Sequence, residues 1–182
     1  MMQANPNKYP HSELSKSSDD GSDLRELVDR LHQKMQRDAL IQETTDKLRD
    51  YLKVDRVVIY YFYRQWEGQV TYESLSSLER SIYGSTGPDD CFSGEYADLY
   101  LAGRVRAISD IEVEAISDCH RDFLRGLGAR ANLAVPILNS KGLWGLLIAH
   151  HCQHVRSWLE SDIDRMKKAA ATLANAPTIR DC

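Results

Sequence analysis

The sequence lacks several features that would place it in other protein classes. No apolar run approaches the ~20 residues that a membrane helix needs, and the polar amino terminus has no signal-peptide core. Basic residues are not in excess, because 23 Lys and Arg stand against 27 Asp and Glu, a net charge of −4. We therefore predict a cytoplasmic protein with neither a nucleic-acid nor a membrane partner.

Common catalytic signatures are also missing: there is no GxxxxGK(S/T) phosphate loop, no GxSxG elbow and no HExxH pair. This absence predicts a protein that is not an enzyme. With 42% apolar and 27% charged residues, the chain has enough core for one domain. The composition predicts a disordered polar leader over residues 1–22, a single domain over 23–176 and a tail over 177–182.

Cysteines are few, four in 182 residues. This is too sparse for a disulfide scaffold, so free thiols, metal ligands or attachment points are expected. The four are Cys91, Cys119, Cys152 and Cys182.

Two amphipathic helical patterns open the domain. The first starts after Ser22, a candidate cap, and the second covers residues 40–52. The apolar stripe of the first pattern either packs on the domain's own sheet or forms a homodimer bundle with the C-terminal helix. Its members are Leu24, Leu27, Val28, Leu31 and Met35.

Two hairpins are predicted from β-branched and aromatic runs. Residues 57–63 and 70–73 form the first, joined by a turn over 66–69, and residues 131–138 and 144–151 form the second, joined by Asn139-Ser140-Lys141-Gly142. A helix over 159–173 closes the chain. The order predicts an α+β fold, an antiparallel sheet with helices on one face and the other face left for a ligand.

Between the hairpins lies a segment rich in loops. Residues 74–95 contain glycines and a proline, and a loop of this length is usually functional. A helical turn over 97–101, a strand over 105–108 and a helix over 119–127 follow, the last capped by Ser117 or Asp118.

Two short motifs in this segment carry cysteines: Asp89-Asp90-Cys91-Phe92 and Ser117-Asp118-Cys119-His120. Four further stretches surround them: DRVVIY from residue 55, GRVRAI from residue 103, ANLAVPI from residue 131 and WGLLIAH from residue 144. Over residues 37–174 this combination resembles the photosensory GAF domains of cyanobacteriochromes, in the phytochrome superfamily. Within them it is similar to the DXCF, dual-cysteine subgroup.

The resemblance implies a linear tetrapyrrole (bilin) chromophore, phycocyanobilin and/or phycoviolobilin. Cys119 occupies the position of the permanent thioether to ring A, where a helix amino end would favour the thiolate. Cys91 matches the second cysteine, which adds reversibly to the central methine bridge and shortens the conjugated system. Isomerisation of the double bond between rings C and D would then switch a violet- or blue-absorbing state to a green-to-red-absorbing state.

The resemblance also implies further chromophore contacts. Asp89 matches the carboxylate beside the pyrrole nitrogens, and His120 the histidine that packs on the bilin. Arg104 matches the arginine that pairs a propionate, with Arg106 as its competitor. His150 ends an apolar strand on the ligand side, where a satisfied core histidine is the alternative. Three aromatic residues are further candidates to line the pocket, although simple packing would explain them equally well: Phe92, Tyr96 and Tyr100.

Three other functions compete with this hypothesis. Cys91, Cys119, His120 and Cys152 would be a zinc site, although the CxxC spacing is missing. A GAF domain that binds a cyclic nucleotide would explain the fold but would leave the two cysteine motifs as a coincidence. A GAF-type methionine sulfoxide reductase would use the cysteines in redox chemistry. For signal output, the chain is either a module of a longer sensor or acts through a separate partner or a homodimer.

Overall fold

The computed structural model describes residues 19–36, 38–64, 66–87 and 95–180. These residues form six α-helices and five β-strands, with one 3₁₀ turn at Leu78–Arg80. The helices are α1 Asp19–Gln36, α2 Ala39–Leu52, α3 Glu95–Leu101, α4 Asp118–Gly126, α5 Glu160–Leu173 and α6 Pro177–Arg180. The strands are β1 Arg56–Arg64, β2 Glu67–Leu75, β3 Arg106–Ile108, β4 Ala131–Asn139 and β5 Gly142–His151.

The five strands form one antiparallel sheet in the order β2-β1-β5-β4-β3. Both predicted hairpins are present, and β1 of the first pairs with β5 of the second at the centre of the sheet. The predicted α+β class with an antiparallel sheet is confirmed.

Residues that alternate along the central strands divide the sheet into two faces. One face packs against α1, α2 and α5 through a core that excludes water almost completely. Burying each large aliphatic side chain there contributes roughly 1.5–3 kcal/mol. Representative core residues are Val57, Ile59, Leu133, Val135 and Leu147 from the strands and Ile41, Leu48, Met166 and Leu173 from the helices.

The amino-terminal helices differ in detail from the prediction. α1 begins at Asp19, so Ser22 lies inside this helix rather than at its cap, and Asp19 to Ser22 belong to a helix instead of the predicted leader. The cap is found at α2, where the Asp38 carboxylate accepts a hydrogen bond from the backbone N–H of Leu40 at 3.0 Å. On α1, Val28 and Leu31 are buried against the chain's own domain.

The first hairpin is longer than predicted. β2 starts at Glu67, three residues before the expected strand, and the backbone turns at Trp66, which has a positive φ of 66°. The prediction of a turn over 66–69 was wrong, because residues 67–69 already belong to β2 and pair with β1 as far as Arg64. The polar and glycine residues of this stretch had indicated a turn.

The carboxyl terminus also departs from the prediction. Residues 177–180 form α6 instead of a tail, with Ile179 fully buried in the same core. None of the helices in the described part of the chain is long and apolar enough to cross a membrane.

Candidate functional site

The second face of the sheet forms the floor of a deep cavity. Alternate residues of β1, β4 and β5 supply this floor: Val58, Tyr60, Asn132, Ala134, Leu146, Ile148 and His150. The walls come from α3, α4 and the connections that lead to them, including Tyr96, Tyr100, Arg104, Ile116, His120 and Phe123. The prediction that one face of the sheet packs on the N- and C-terminal helices and leaves the other for a ligand agrees with this geometry, although α3 and α4 stand on the ligand face as walls.

The wall formed by α4 carries Cys119 in its first turn. Ser117 is the N-cap, and its hydroxyl accepts the backbone N–H of His120 at 3.3 Å, which decides between the two predicted caps. Cys119 itself is exposed and disulfide-bonded. Because the nucleophile of thiol chemistry is the thiolate, Cys119 must be reduced before it can attach a ligand.

His120 follows Cys119 and faces the cavity. Its pKa is lowered because burial disfavours the charged imidazolium, and the nearby guanidinium groups of Arg106 and Arg104 act in the same direction. His120 is therefore a neutral side chain at pH 7, able both to donate and to accept a hydrogen bond.

Arg104 and Arg106 both reach the cavity but differ in their partners. Arg106 donates to the Glu114 carboxylate at 3.1 Å, so its charge is already paired. Arg104 lies 5.6 Å from the ring centre of Tyr96, and no carboxylate of the described residues forms an ion pair with it. Arg104 is thus the guanidinium with spare capacity for an anionic ligand group.

His150 lies on the floor and is 2% exposed. Its Nδ1 accepts a hydrogen bond from Nε of Arg56 at 2.9 Å. Burial, reinforced by the charge of Arg56, holds the pKa of His150 well below its usual value. A neutral imidazole that accepts at Nδ1 carries its proton on Nε2.

Asn132 is the cross-strand neighbour of His150 on the same face. Residues paired in this way have Cβ atoms about 4.5–5.5 Å apart. Asn132 is 4% exposed, yet its Oδ1 has no hydrogen-bond partner among the described residues. Such an orphan acceptor in a cavity fits a ligand that brings its own N–H donor.

Three tyrosines line the cavity: Tyr60, Tyr96 and Tyr100. Tyr100 is buried, and this burial raises its pKa to about 12, so its phenol remains protonated. The hydroxyl of Tyr60 donates to the carbonyl of Gly68 at 2.7 Å and accepts the N–H of Gly87 at 2.8 Å. Tyr96 is 40% exposed and stands at the rim.

The structure thus brings together five of the sequence-predicted candidates: Tyr96, Tyr100, Arg104, His120 and His150 all line one cavity. Asp89, Cys91 and Phe92 lie outside the described residues. Sequence reasoning missed Asn132 and Arg56. The available signal was a polar residue in each of two otherwise apolar stretches: Asn132 within ANLAVPI and Arg56 at the start of RVVIY.

Cys152, placed just after β5, is a half-buried free thiol. Burial raises its pKa, as does the neighbouring carboxylate of Asp55, so Cys152 is a poor nucleophile. Within the described ranges, no group of three or more His, Cys, Asp or Glu side chains is arranged to hold a metal ion.

A five-stranded antiparallel sheet with the N- and C-terminal helices on one face and a cavity on the other defines the class, and the GAF domain family profile matches residues 36–176. The chain belongs to the GAF domain family. It is 49% identical over 158 residues to an uncharacterised protein of Picosynechococcus sp., covering 87% of this chain and 97% of that protein. It is also 33% identical to a putative methyl-accepting chemotaxis protein of Synechocystis sp., covering 84% of this chain but 15% of that protein.

Solved structures of similar domains come from photoreceptors. The blue-light-absorbing form of the Thermosynechococcus elongatus PixJ GAF domain is 35% identical, with a TM-score of 0.69 over 82% of this chain and 84% of that chain. The phycocyanobilin-bound GAF domain of a cyanobacterial phytochrome is 29% identical, with a TM-score of 0.68 over 87% and 93%. The chain is therefore a GAF domain closely similar in structure to the cyanobacteriochrome PixJ domains.

Proposed function

We propose that this protein is a bilin-binding photoreceptor of the DXCF dual-cysteine subgroup of cyanobacteriochromes. The observation that carries the proposal is the cavity on the second sheet face, which is lined by Arg104, by the buried His150 and Asn132, and by His120, the neighbour of Cys119 in the first turn of α4. Similarity to GAF domains of known light receptors supports it.

The residues of the cavity fit a linear tetrapyrrole. A bilin combines an extended apolar conjugated system with pyrrole and lactam N–H groups, carbonyl oxygens and two propionates. The apolar floor suits the conjugated system, Arg104 suits a propionate, and Asn132 and His150 offer an acceptor and a donor side by side. When bound, the bilin would supply light absorption and the isomerisation of its C/D-ring double bond.

Each protein residue has a proposed role. Cys119, once reduced, forms the permanent thioether, and Cys91 forms the second, reversible one that defines the violet- or blue-absorbing state. Asp89 accepts hydrogen bonds from the pyrrole N–H groups, and neutral His120 packs against the bilin. Arg104 binds a propionate. Phe92 and Tyr96 line the site.

The bilin is phycocyanobilin and/or its isomer phycoviolobilin in this proposal, and the signal leaves through the helices at the termini. A homodimer or a separate signalling partner would receive it. The similarity to part of a chemotaxis protein supports a role in a signalling chain. A cytoplasmic location is proposed from the sequence alone.

The first test is absorption spectroscopy of the protein co-produced with phycocyanobilin, in reductant so that Cys119 is free to react. We expect a violet or blue band that converts reversibly to a longer-wavelength band on illumination. Cys91→Ala should abolish only the short-wavelength state, whereas Cys119→Ala should lose the linkage that survives denaturation.

Two results would contradict the proposal. Wild-type protein that takes up no covalent bilin would exclude the photoreceptor function. A Cys91→Ala protein that retained the short-wavelength state would exclude the dual-cysteine cycle. Reduction of free methionine sulfoxide by apoprotein that ignores bilins would instead favour the reductase alternative.

A further inference from the structure

Arg56 is a buried guanidinium beside the cavity floor, where it is the cross-strand neighbour of the floor residue His150. It is the first residue of β1 and 2% exposed. Arginine stays protonated inside proteins, and a buried charge is tolerated only where its donors find acceptors. The acceptors of Arg56 are all neutral: Nδ1 of His150 at 2.9 Å, the carbonyl of Arg80 at 2.8 Å and the carbonyl of Leu127 at 2.6 Å.

These three acceptors belong to three different segments around the cavity. Leu127 directly follows α4, the helix that begins at Asp118 and carries Cys119 and His120. Arg80 ends the 3₁₀ turn, and His150 lies on β5. The planar fork of a guanidinium can serve several acceptors in fixed directions, which an ammonium cannot. Arg56 therefore joins the floor of the cavity to the helix that forms its wall.

The bond to His150 also fixes a proton. Nε of Arg56 can only donate, so Nδ1 of His150 must present its lone pair at 2.9 Å. A proton on Nδ1 would set two N–H groups against each other. Since the pair is buried, water cannot relieve that clash, and the imidazole proton is confined to Nε2.

We propose that Arg56 is a positioning residue with two linked effects. It fixes His150 as the Nε2–H tautomer, which presents a hydrogen-bond donor to the ligand. Through the Leu127 carbonyl it holds α4 in a fixed position relative to that donor. The relevance to bilin binding rests on the proposed function, whereas the tautomer and the helix contact are properties of the apoprotein.

The apoprotein test is nitrogen NMR of histidine-labelled protein, which distinguishes the two imidazole tautomers. We expect wild-type His150 as Nε2–H. Arg56→Met should lower the Nε2–H to Nδ1–H ratio by about tenfold or more, the size of a hydrogen bond to a charged donor. Wild-type His150 in the Nδ1–H form, or an unchanged ratio in Arg56→Met, would overturn the inference.

Arg121→Met is the matched control. Arg121 is a half-buried arginine on α4 that donates to the backbone carbonyls of Ile111, Glu114 and Ile116 and, among the described residues, to no histidine. This variant should leave the His150 tautomer unchanged. An equal loss of the Nε2–H form in Arg121→Met would show a general structural effect and overturn the specific role of Arg56.

If Arg56→Met does not fold, Arg56→Lys replaces it. An ammonium keeps the charge but lacks the fork, so either the tautomer bias falls or amide hydrogen exchange in α4 rises several-fold. Arg56→Lys that matches the wild type in both measurements would overturn the inference.

A final comparison separates this inference from the proposed function. Wild-type protein that takes up no bilin would defeat the photoreceptor proposal and leave the apoprotein result standing. If the wild type does attach bilin, Arg56→Met should attach it several-fold more slowly and with a shifted absorption maximum. Normal attachment and an unshifted maximum would overturn the role of Arg56 toward the ligand.

Discussion

Arg104 and Arg106 both line the cavity but have different partners, although a single residue separates them in the sequence. Arg106 is neutralised by Glu114, whereas Arg104 contacts the ring of Tyr96 and pairs with no carboxylate among the described residues. Sequence spacing could not separate them, because alternate residues of a strand point the same way. The two arginines differ because the loop after β3 places Glu114 against Arg106.

Arg104→Gln should therefore weaken attachment of phycocyanobilin to the apoprotein by about tenfold or more, since a charge-assisted hydrogen bond to the propionate is lost. Arg106→Gln should have a clearly smaller effect on attachment. The measurement is the rate of covalent bilin uptake by reduced apoprotein at limiting bilin concentration.

The dimethyl ester of phycocyanobilin provides the control, because its propionates carry no charge. Wild type and Arg104→Gln should take up the ester at similar rates. A tenfold difference that persisted with the ester would mean that Arg104 acts on the fold rather than on a carboxylate.

At the scale of elements, the contact between β1 and β5 sets the geometry of the floor. Gly145 in β5 lies opposite Tyr61, and a Cβ atom at Gly145 would come within 2.3 Å of the carbonyl oxygen of Tyr60. Backbone cannot move aside as a flexible side chain can. The glycine is thus required for the two hairpins to join into one sheet.

Gly145→Ala should destabilise the protein by about 1–3 kcal/mol, as overpacking in a well-packed region does. Chemical denaturation followed by circular dichroism measures this change. Gly126→Ala is the contrasting variant, because Gly126 is in α4 and its Cβ would meet nothing within 4 Å. There the substitution should stabilise by about 0.4–1 kcal/mol; equal destabilisation of both variants would refute the steric argument.

At the scale of the whole molecule, helix α6 contacts both the start of α2 and the end of β4. Thr178 donates to the cap residue Asp38 at 3.0 Å, and the carbonyl of Ile179 accepts from the Asn139 amide at 3.0 Å. Ile179 is fully buried between these contacts. The segment therefore belongs to the domain core, although its composition predicted a tail.

Ile179→Ala should accordingly cost about 2–5 kcal/mol in the free energy of unfolding, the range for truncating a buried aliphatic side chain. Lys168→Ala, at an exposed position of α5, should change it by about 0.5 kcal/mol or less. Urea denaturation of both variants decides the matter. A loss below about 1 kcal/mol for Ile179→Ala would mean that α6 contributes little to the core.

The amino-acid sequence by itself determined the parts of this protein that depend on local pattern. Alternating β-branched residues specified both hairpins, three- and four-residue apolar spacing specified the long helices, and the Ser117 cap specified the start of α4. The cysteine motifs and the stretches around them indicated the GAF family and the cavity residues Arg104, His120 and His150. Their proposed roles toward a bilin stay predictions.

Tertiary structure alone decided what depends on residues far apart in the chain. Arg56 and His150, 94 positions apart, meet only because β1 pairs with β5. Asn132 lies beside His150 because β4 pairs with β5, and its Oδ1 has no hydrogen-bond partner among the described residues. Helix α6 packs on the domain because Ile179 is buried in its core. Local periodicity indicates which face of a helix or strand is apolar. It does not indicate which polar group, distant in the sequence, will contact that face in the folded protein.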